Sequence, residues 1–153
     1  MNKPLEGLFV VELTTYWAAP SAGEFLRCLG ARVVKIETGK AGDSVRYWGR
    51  TCGMPIEANE NPSFDLFNGG KEFMHMDLHE EEHRRVLHNM LAKADVFLTS
   101  MRLGGLKKYG IDWDSLKETY PRLIMAHATG YVCKDGPLYS DPGLDAVAVF
   151  AMH

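Results

Sequence analysis

The chain has 153 residues, about the length of one domain, and 46% of them are hydrophobic, enough to supply a core. Its net charge of −3 leaves no basic footprint for nucleic acid, and no apolar run reaches membrane-spanning length. Cys28, Cys52 and Cys133 are odd in number, far apart and without a CxxC pair, and the N-terminus has no signal-peptide h-region, so reduced thiols in a cytoplasmic setting are the expectation.

Taken in order, the chain reads first as strand, turn, helix, strand and glycine loop. Gly7 to Leu13 is an apolar run of strand length. Thr14 to Ala19 is the turn, and Pro20 suits the first helical position, where its missing N–H costs nothing. Ala22, Phe25, Leu26 and Leu29 fall at helical spacing and predict the buried face, with Gly30 as the helix stop. Arg32 to Glu37 is the second strand, and Gly39 to Asp43 the loop after it. A βαβ unit of this kind is right-handed, and ligands sit beyond the carboxyl ends of its strands. The turn 14–19 and the loop 38–46 are therefore the first places to look for function.

Residues 47–66 are rich in Gly, Pro and Asn and read as a long loop. Glu72 to Met76 reads as a strand. Asp77 suits a helix cap with Glu80 as its capping-box partner, ahead of a helix burying Val86, Leu87, Met90, Leu91 and Ala94. Asp95 to Thr99 is the next strand, followed by Met101 to Gly105 at the ligand edge. A short helical turn ends at Gly110, Asp112 caps Trp113 to Thr119, and Leu123 to Ala128 is a further strand. Residues 130–143 form a loop, and the chain turns apolar again from Leu144. Alternating strands and helices predict an α/β, Rossmann-like fold: a mostly parallel sheet with flanking helices.

Several residue patterns carry chemical suggestions. His79-Glu80-Glu81-Glu82-His83 matches H-E-x-x-H, but it opens a helix, where the dipole disfavours a cation, and no third ligand is placed by spacing; it reads as helix-start composition and no metal is expected. Glu37 ends the second strand, where a dinucleotide-binding domain puts its ribose acid, yet the turn 14–19 has no glycine to admit a pyrophosphate. It reads as a solvated strand-end charge or an ion-pair partner. Arg102, Lys107 and Lys108, and likewise Lys35, Arg46 and Arg50, stand near ligand-side loops and suit phosphate or a solvated face. Tyr16, Trp17, Tyr47 and Trp48 suit either stacking on a ligand ring or packing of the loops. Asp141 and Asp145 are the last carboxylates, and no spacing to a His or Ser marks either as a nucleophile.

The succession of short segments resembles the family III CoA-transferases, the formyl-CoA transferase and carnitine CoA-transferase group. Pro4-Leu5-Glu6-Gly7 with Val10 to Thr14, Ala18 to Gly23, Leu29 to Glu37 and Gly42-Asp43-Ser44-Val45-Arg46 resemble the family's opening. Asn68-Gly69-Gly70-Lys71, Met76-Asp77-Leu78, Ala94-Asp95-Val96, Tyr120 to Ile124, Thr129-Gly130-Tyr131, Gly136-Pro137 and Pro142 to Asp145 continue the series. Within the family, the CoA-transferases of aromatic and 2-hydroxy acids are the most similar, through the Ala-Ala-Pro-x-Ala-Gly turn, Phe64-Asp65-Leu66 and Leu98-Thr99.

The resemblance implies transfer of CoA from an acyl-CoA to a carboxylic acid, with an aspartate nucleophile forming an aspartyl-CoA thioester. It implies coenzyme A as substrate and an interlocked homodimer whose chains carry a large Rossmann-like domain and a small domain. It carries CoA contacts onto Tyr16, Trp17, Ala18, Met76, Asp77, Met101, Arg102 and Lys108, and onto Thr38 and His79, which stand where many members have Arg and Lys. Asp145 aligns with an acidic position of supporting role. The nucleophile's Gly-Asp segment lies downstream in the family. The expectation is thus that residues 1–153 are the N-terminal part of the large domain, without the small domain or the C-terminal segment, and inactive alone. The alternative is a split subunit or a non-catalytic CoA- or nucleotide-binding module.

Overall fold

Strand-forming runs and amphipathic stretches alternate along the chain, and they assemble as a sheet with helices on both faces. The structure, a computed structural model, describes residues 3–51, 53–54, 56 and 60–130. In chain order the elements are β1 (Phe9–Leu13), α1 (Ala18–Cys28), β2 (Arg32–Thr38), α2 (Val45–Thr51), α3 (Pro62–Asn68), β3 (Glu72–Met76), α4 (Glu81–Leu91), β4 (Val96–Thr99), α5 (Leu103–Tyr109), α6 (Trp113–Leu116) and β5 (Ile124–His127). All four strand pairings are parallel, and the strand order is β3-β2-β1-β4-β5. The order reverses direction at β1, so β1 and β4 flank the crevice where doubly wound sheets hold ligands.

Alternation along the strands divides the core. Val11, Leu13, Ile36 and Phe97 face α4, α5 and α6, where Leu87, Leu91, Leu106 and Leu116 close a buried cluster. Val10, Val33 and Leu98 face the other way, into a smaller cluster with Ala31, Leu5, Leu8 and Leu26. Glu12, Lys35 and Glu37 share the parity of that second face and are buried there too.

The expected α/β architecture is present, with four local corrections. Residues 47–66 are not a continuous loop: they contain most of α2 and the start of α3. Asn61 caps α3, its side-chain oxygen accepting the Phe64 N–H at 3.2 Å, and Pro62 sits at the helix start. Helix α1 begins two residues before Pro20 and buries Ala19, Pro20 and Gly23; Phe25 is 66% exposed. The small residues face the sheet because α1 lies close against β1. Asp77 does not cap α4: the helix starts at Glu81, and Asp77 Oδ1 accepts the His79 N–H at 2.9 Å in a local turn instead. Helix α6 is a single turn ending at Leu116, short of Thr119. The apolar stretch from Leu144, with Asp141 and Asp145, lies outside the described residues.

Candidate functional site

The carboxyl ends of β1, β2, β3 and β4 form one rim of the sheet. Beyond β2, β3 and β4 lies a cleft of about 350 Å³, lined by Thr38, Lys40, Asp77, His79, Met101 and Tyr109 among others. That volume is at the small end of ligand sites and suits part of an extended ligand. Four of the anticipated contact residues meet here: Thr38 from the end of β2, Asp77 and His79 after β3, and Met101 after β4. Met76 does not expose its side chain: it is buried in the core and is not among the residues lining the cleft.

The cleft's polar groups are held by local contacts. His79 stacks edge-on against Tyr109 with ring centres 5.7 Å apart, and its Nε2 is 3.3 Å from the Tyr109 hydroxyl. The His83 Nδ1 lies 2.9 Å from the Asp77 backbone nitrogen. His79 lies before α4, so the two histidines of the H-E-x-x-H pattern do not share a helix face, and among the described residues no three His, Cys, Asp or Glu converge. His75 Nε2 contacts the Gly39 carbonyl at 2.6 Å and ties β3 to the loop after β2. Lys40 contributes a cation to the lining. Arg102 is exposed at the start of α5, and Lys108 places its ammonium 5.2 Å from the Tyr109 ring centre at the cleft's margin.

The turn after β1 is a second group. Tyr16 has φ of 71°, a left-handed conformation that costs a non-glycine residue about 1–2 kcal/mol. Among the described residues it is the only non-glycine with positive φ. Tyr16 and Trp17 stack at 5.0 Å, and Trp17 meets Trp48 edge-on at 4.5 Å and Phe67 at 5.9 Å. Three of the four anticipated stacking aromatics thus pack on one another; Tyr47 is exposed. Ala18 is exposed at the start of α1. The two groups meet at the β1–β4 crevice: Ser100 Oγ accepts the Thr15 N–H at 3.0 Å, and the Thr99 hydroxyl donates to the Leu13 carbonyl at 2.9 Å. His127 Nε2 lies 2.8 Å from the Met101 carbonyl and steadies the segment after β4.

Behind this turn lies a buried ionic network that the residue patterns did not predict. Parallel register sets Glu12 beside Lys35. Lys35 Nζ reaches Glu12 at 3.3 Å, Asp43 at 2.9 Å and the Thr14 carbonyl at 3.1 Å. Lys71 Nζ reaches the other Glu12 oxygen at 2.8 Å, the Pro20 carbonyl at 2.9 Å and Asn68 Oδ1 at 3.2 Å. All four charged side chains are fully buried. Two acids and two bases cancel, which such burial requires. Burial pushes the Lys71 ammonium below its usual pKa despite the attraction of Glu12.

A second pair lies alongside. Arg46 grips Glu37 through hydrogen bonds of 2.6 to 3.1 Å, and its guanidinium lies 3.8 Å from the Phe64 ring centre. Burial pushes the Glu37 carboxyl up, but the Arg46 guanidinium, the Asp43 N–H and nearby cations outweigh it and hold the group below the usual carboxylate range. Glu37 is thus an ion-pair partner rather than a solvated charge. Lys35 and Arg46 are committed to protein carboxylates. The signal for the network was present: Glu12 stands between Val11 and Leu13 and Lys35 between Val34 and Ile36, and a parallel strand buried on both faces admits such a charge only with a partner.

Residues 5–152 match the family model for CoA-transferase family III. The chain belongs to that family. It is 44% identical over 145 residues to a cinnamoyl-CoA:phenyllactate CoA-transferase of Clostridium sporogenes, covering 95% of this chain and 35% of that protein. It is 42% identical over 147 residues to an (R)-2-hydroxy-4-methylpentanoate CoA-transferase of Clostridioides difficile, covering 96% and 36% respectively. A crystal structure of a CAIB/BAIF family protein from Brucella suis superposes with a TM-score of 0.87 at 38% identity, covering 99% of this chain and 39% of that one. The family III chain thus spans about a third of the length of the curated relatives it matches.

Proposed function

We propose that this chain is the CoA-binding part of a family III CoA-transferase, which moves CoA from an acyl-CoA to a carboxylic acid. The observation that carries the reading is the cleft at the carboxyl rim, where Thr38, Asp77, His79 and Met101 converge from three strand ends. A parallel sheet holds nucleotides at that rim, and Lys40 and His79 offer donors to phosphate oxygens. Arg102 and Lys108 stand near it as further cations. The turn Tyr16 to Ala18 borders the β1–β4 crevice and takes the acyl-pantetheine end. The acceptor class is aromatic or 2-hydroxy acids, in line with the names of the two clostridial relatives. Transfer runs through an aspartyl-CoA thioester whose aspartate is not among these residues, so residues 1–153 bind CoA without turning it over. The complete enzyme is an interlocked homodimer, without a metal or prosthetic group.

Calorimetric titration of the chain with CoA tests this. The expected result is saturable binding that Lys40→Ala and His79→Ala each weaken about fivefold to tenfold, the share of one charge-assisted contact. A CoA-exchange assay on the same protein gives no turnover. Absence of CoA binding, or transfer by the chain alone, contradicts the proposal.

A further inference from the structure

Four consecutive residues, the last of β1 and the first three of the turn after it, each have a backbone group bound to a side chain from elsewhere in the fold. Thr99 binds the Leu13 carbonyl, Lys35 the Thr14 carbonyl, Ser100 the Thr15 N–H and Asp43 the Tyr16 N–H. The last of these acts on the residue whose backbone is left-handed. Asp43 Oδ1 accepts from Tyr16 N at 3.0 Å and from Val45 N at 3.1 Å, while Oδ2 meets Lys35 Nζ at 2.9 Å. Its own N–H donates to Glu37 at 3.1 Å. Asp43 is completely buried, so it meets no ligand. A strained backbone persists only when its surroundings over-determine it.

We propose that Asp43 is a positioning residue: its buried carboxylate, held by Lys35, fixes Tyr16 in the left-handed conformation and so sets the turn 15–17 that faces the β1–β4 crevice. The Gly42-Asp43 pair thereby serves the ligand rim from behind. Gly42, at φ of 68°, turns the loop so that the aspartate points inward. Lys35 links the two sides by binding both Asp43 and the Thr14 carbonyl, so the turn and the loop after β2 move as one piece.

Amide hydrogen exchange read by NMR, with CoA titration alongside, tests the proposal on the whole chain. Asp43→Ala removes the acceptor. Exchange at the Tyr16 amide is expected to rise at least tenfold more than at the amides of β1, β2 and β4, which rise together as Lys35 loses a carboxylate, and CoA affinity to fall about tenfold. Asp43→Asn keeps an acceptor oxygen for the Tyr16 N–H but takes the carboxylate from Lys35, so global stability is expected to fall, while in the folded protein Tyr16 protection relative to the strand amides, and affinity, stay within threefold of the original. If Asp43→Ala does not fold, the Asn variant decides: a folded protein that has lost Tyr16 protection relative to the strand amides overturns the proposal. Unchanged Tyr16 exchange in a folded Ala variant also overturns it, as does a rise at Tyr16 no larger than that of the strands, which marks a purely stabilising role. The affinity arm rests on the CoA reading above. If the unsubstituted chain binds no CoA, that reading fails, and the exchange arm still decides the role of Asp43.

Discussion

Gly23 shows how much one atom matters beside a buried carboxylate. It lies in the interior of α1, where alanine is ordinarily better than glycine by about 0.5–1 kcal/mol. Here a Cβ would stand 2.8 Å from Glu12 Cδ and 3.1 Å from Lys71 Nζ. The Glu12 carboxylate cannot swing away, because Lys35 and Lys71 hold it from two sides. Gly23→Ala is therefore expected to destabilise the fold by about 1–3 kcal/mol, the usual cost of overpacking, reversing the helix-propensity sign. A urea denaturation midpoint that rises in the Ala variant would refute this. The glycine that ends the Ala-Ala-Pro-x-Ala-Gly motif is thus a packing requirement imposed by Glu12.

Between elements, the Glu37–Arg46 pair joins the end of β2 to α2. The Glu37 carboxyl has an ordinary pKa of 4.5 and is held lower in the folded state. A group lowered in this way binds fewer protons folded than unfolded. Its stabilising contribution is complete above about pH 4.5 and disappears as pH falls through the folded value. Glu37→Gln is expected to be less stable than the original at neutral pH, with the difference shrinking steadily below pH 4.5. Thermal denaturation of both proteins across pH 3 to 7 measures it; parallel curves would show that Glu37 contributes nothing pH-dependent. The same pair explains why α2 is hard to see in the sequence. Val45 to Thr51 has weak helical patterning, and α2 is held by contacts from β2 and α3 rather than by its own propensity.

For the molecule as a whole, the ligand rim is assembled from segments distant in sequence: Thr38, Asp77 and Met101 stand at three strand ends. In the proposed reading CoA binds there and selects the folded chain, so CoA at a hundred times its dissociation constant is expected to stabilise it by about 2.7 kcal/mol. The shift in denaturation midpoint should grow with CoA concentration; a shift independent of concentration would point to a nonspecific solvent effect. Leu78, Met101 and Tyr109 belong to both the cleft lining and the first core cluster, whereas the second cluster shares no residue with the lining. Substitutions in that second cluster change stability before they change affinity.

The sequence by itself determined the α/β architecture and the family, because hydrophobic periodicity and a run of short motifs survive without three-dimensional information. It also pointed to the carboxyl rim as the candidate site, since a βαβ unit has one carboxyl edge. It did not decide which charges are free. Lys35, Arg46 and Glu37 look like ligand-side groups on paper, and only parallel register and the return of residues 43 and 71 to the same face pair them internally. It misassigned part of the buried side of α1: Ala22 and Phe25 are exposed, while the close approach of α1 to β1 buries Ala19, Pro20 and Gly23, and Leu26 packs against the second cluster. The left-handed Tyr16 was equally out of reach: intrinsic propensity opposes it, and a carboxylate 27 residues downstream holds it in place. Local pattern specifies elements, whereas charge pairing and strained backbone depend on contacts between residues far apart in the chain, which exist only once the sheet has formed.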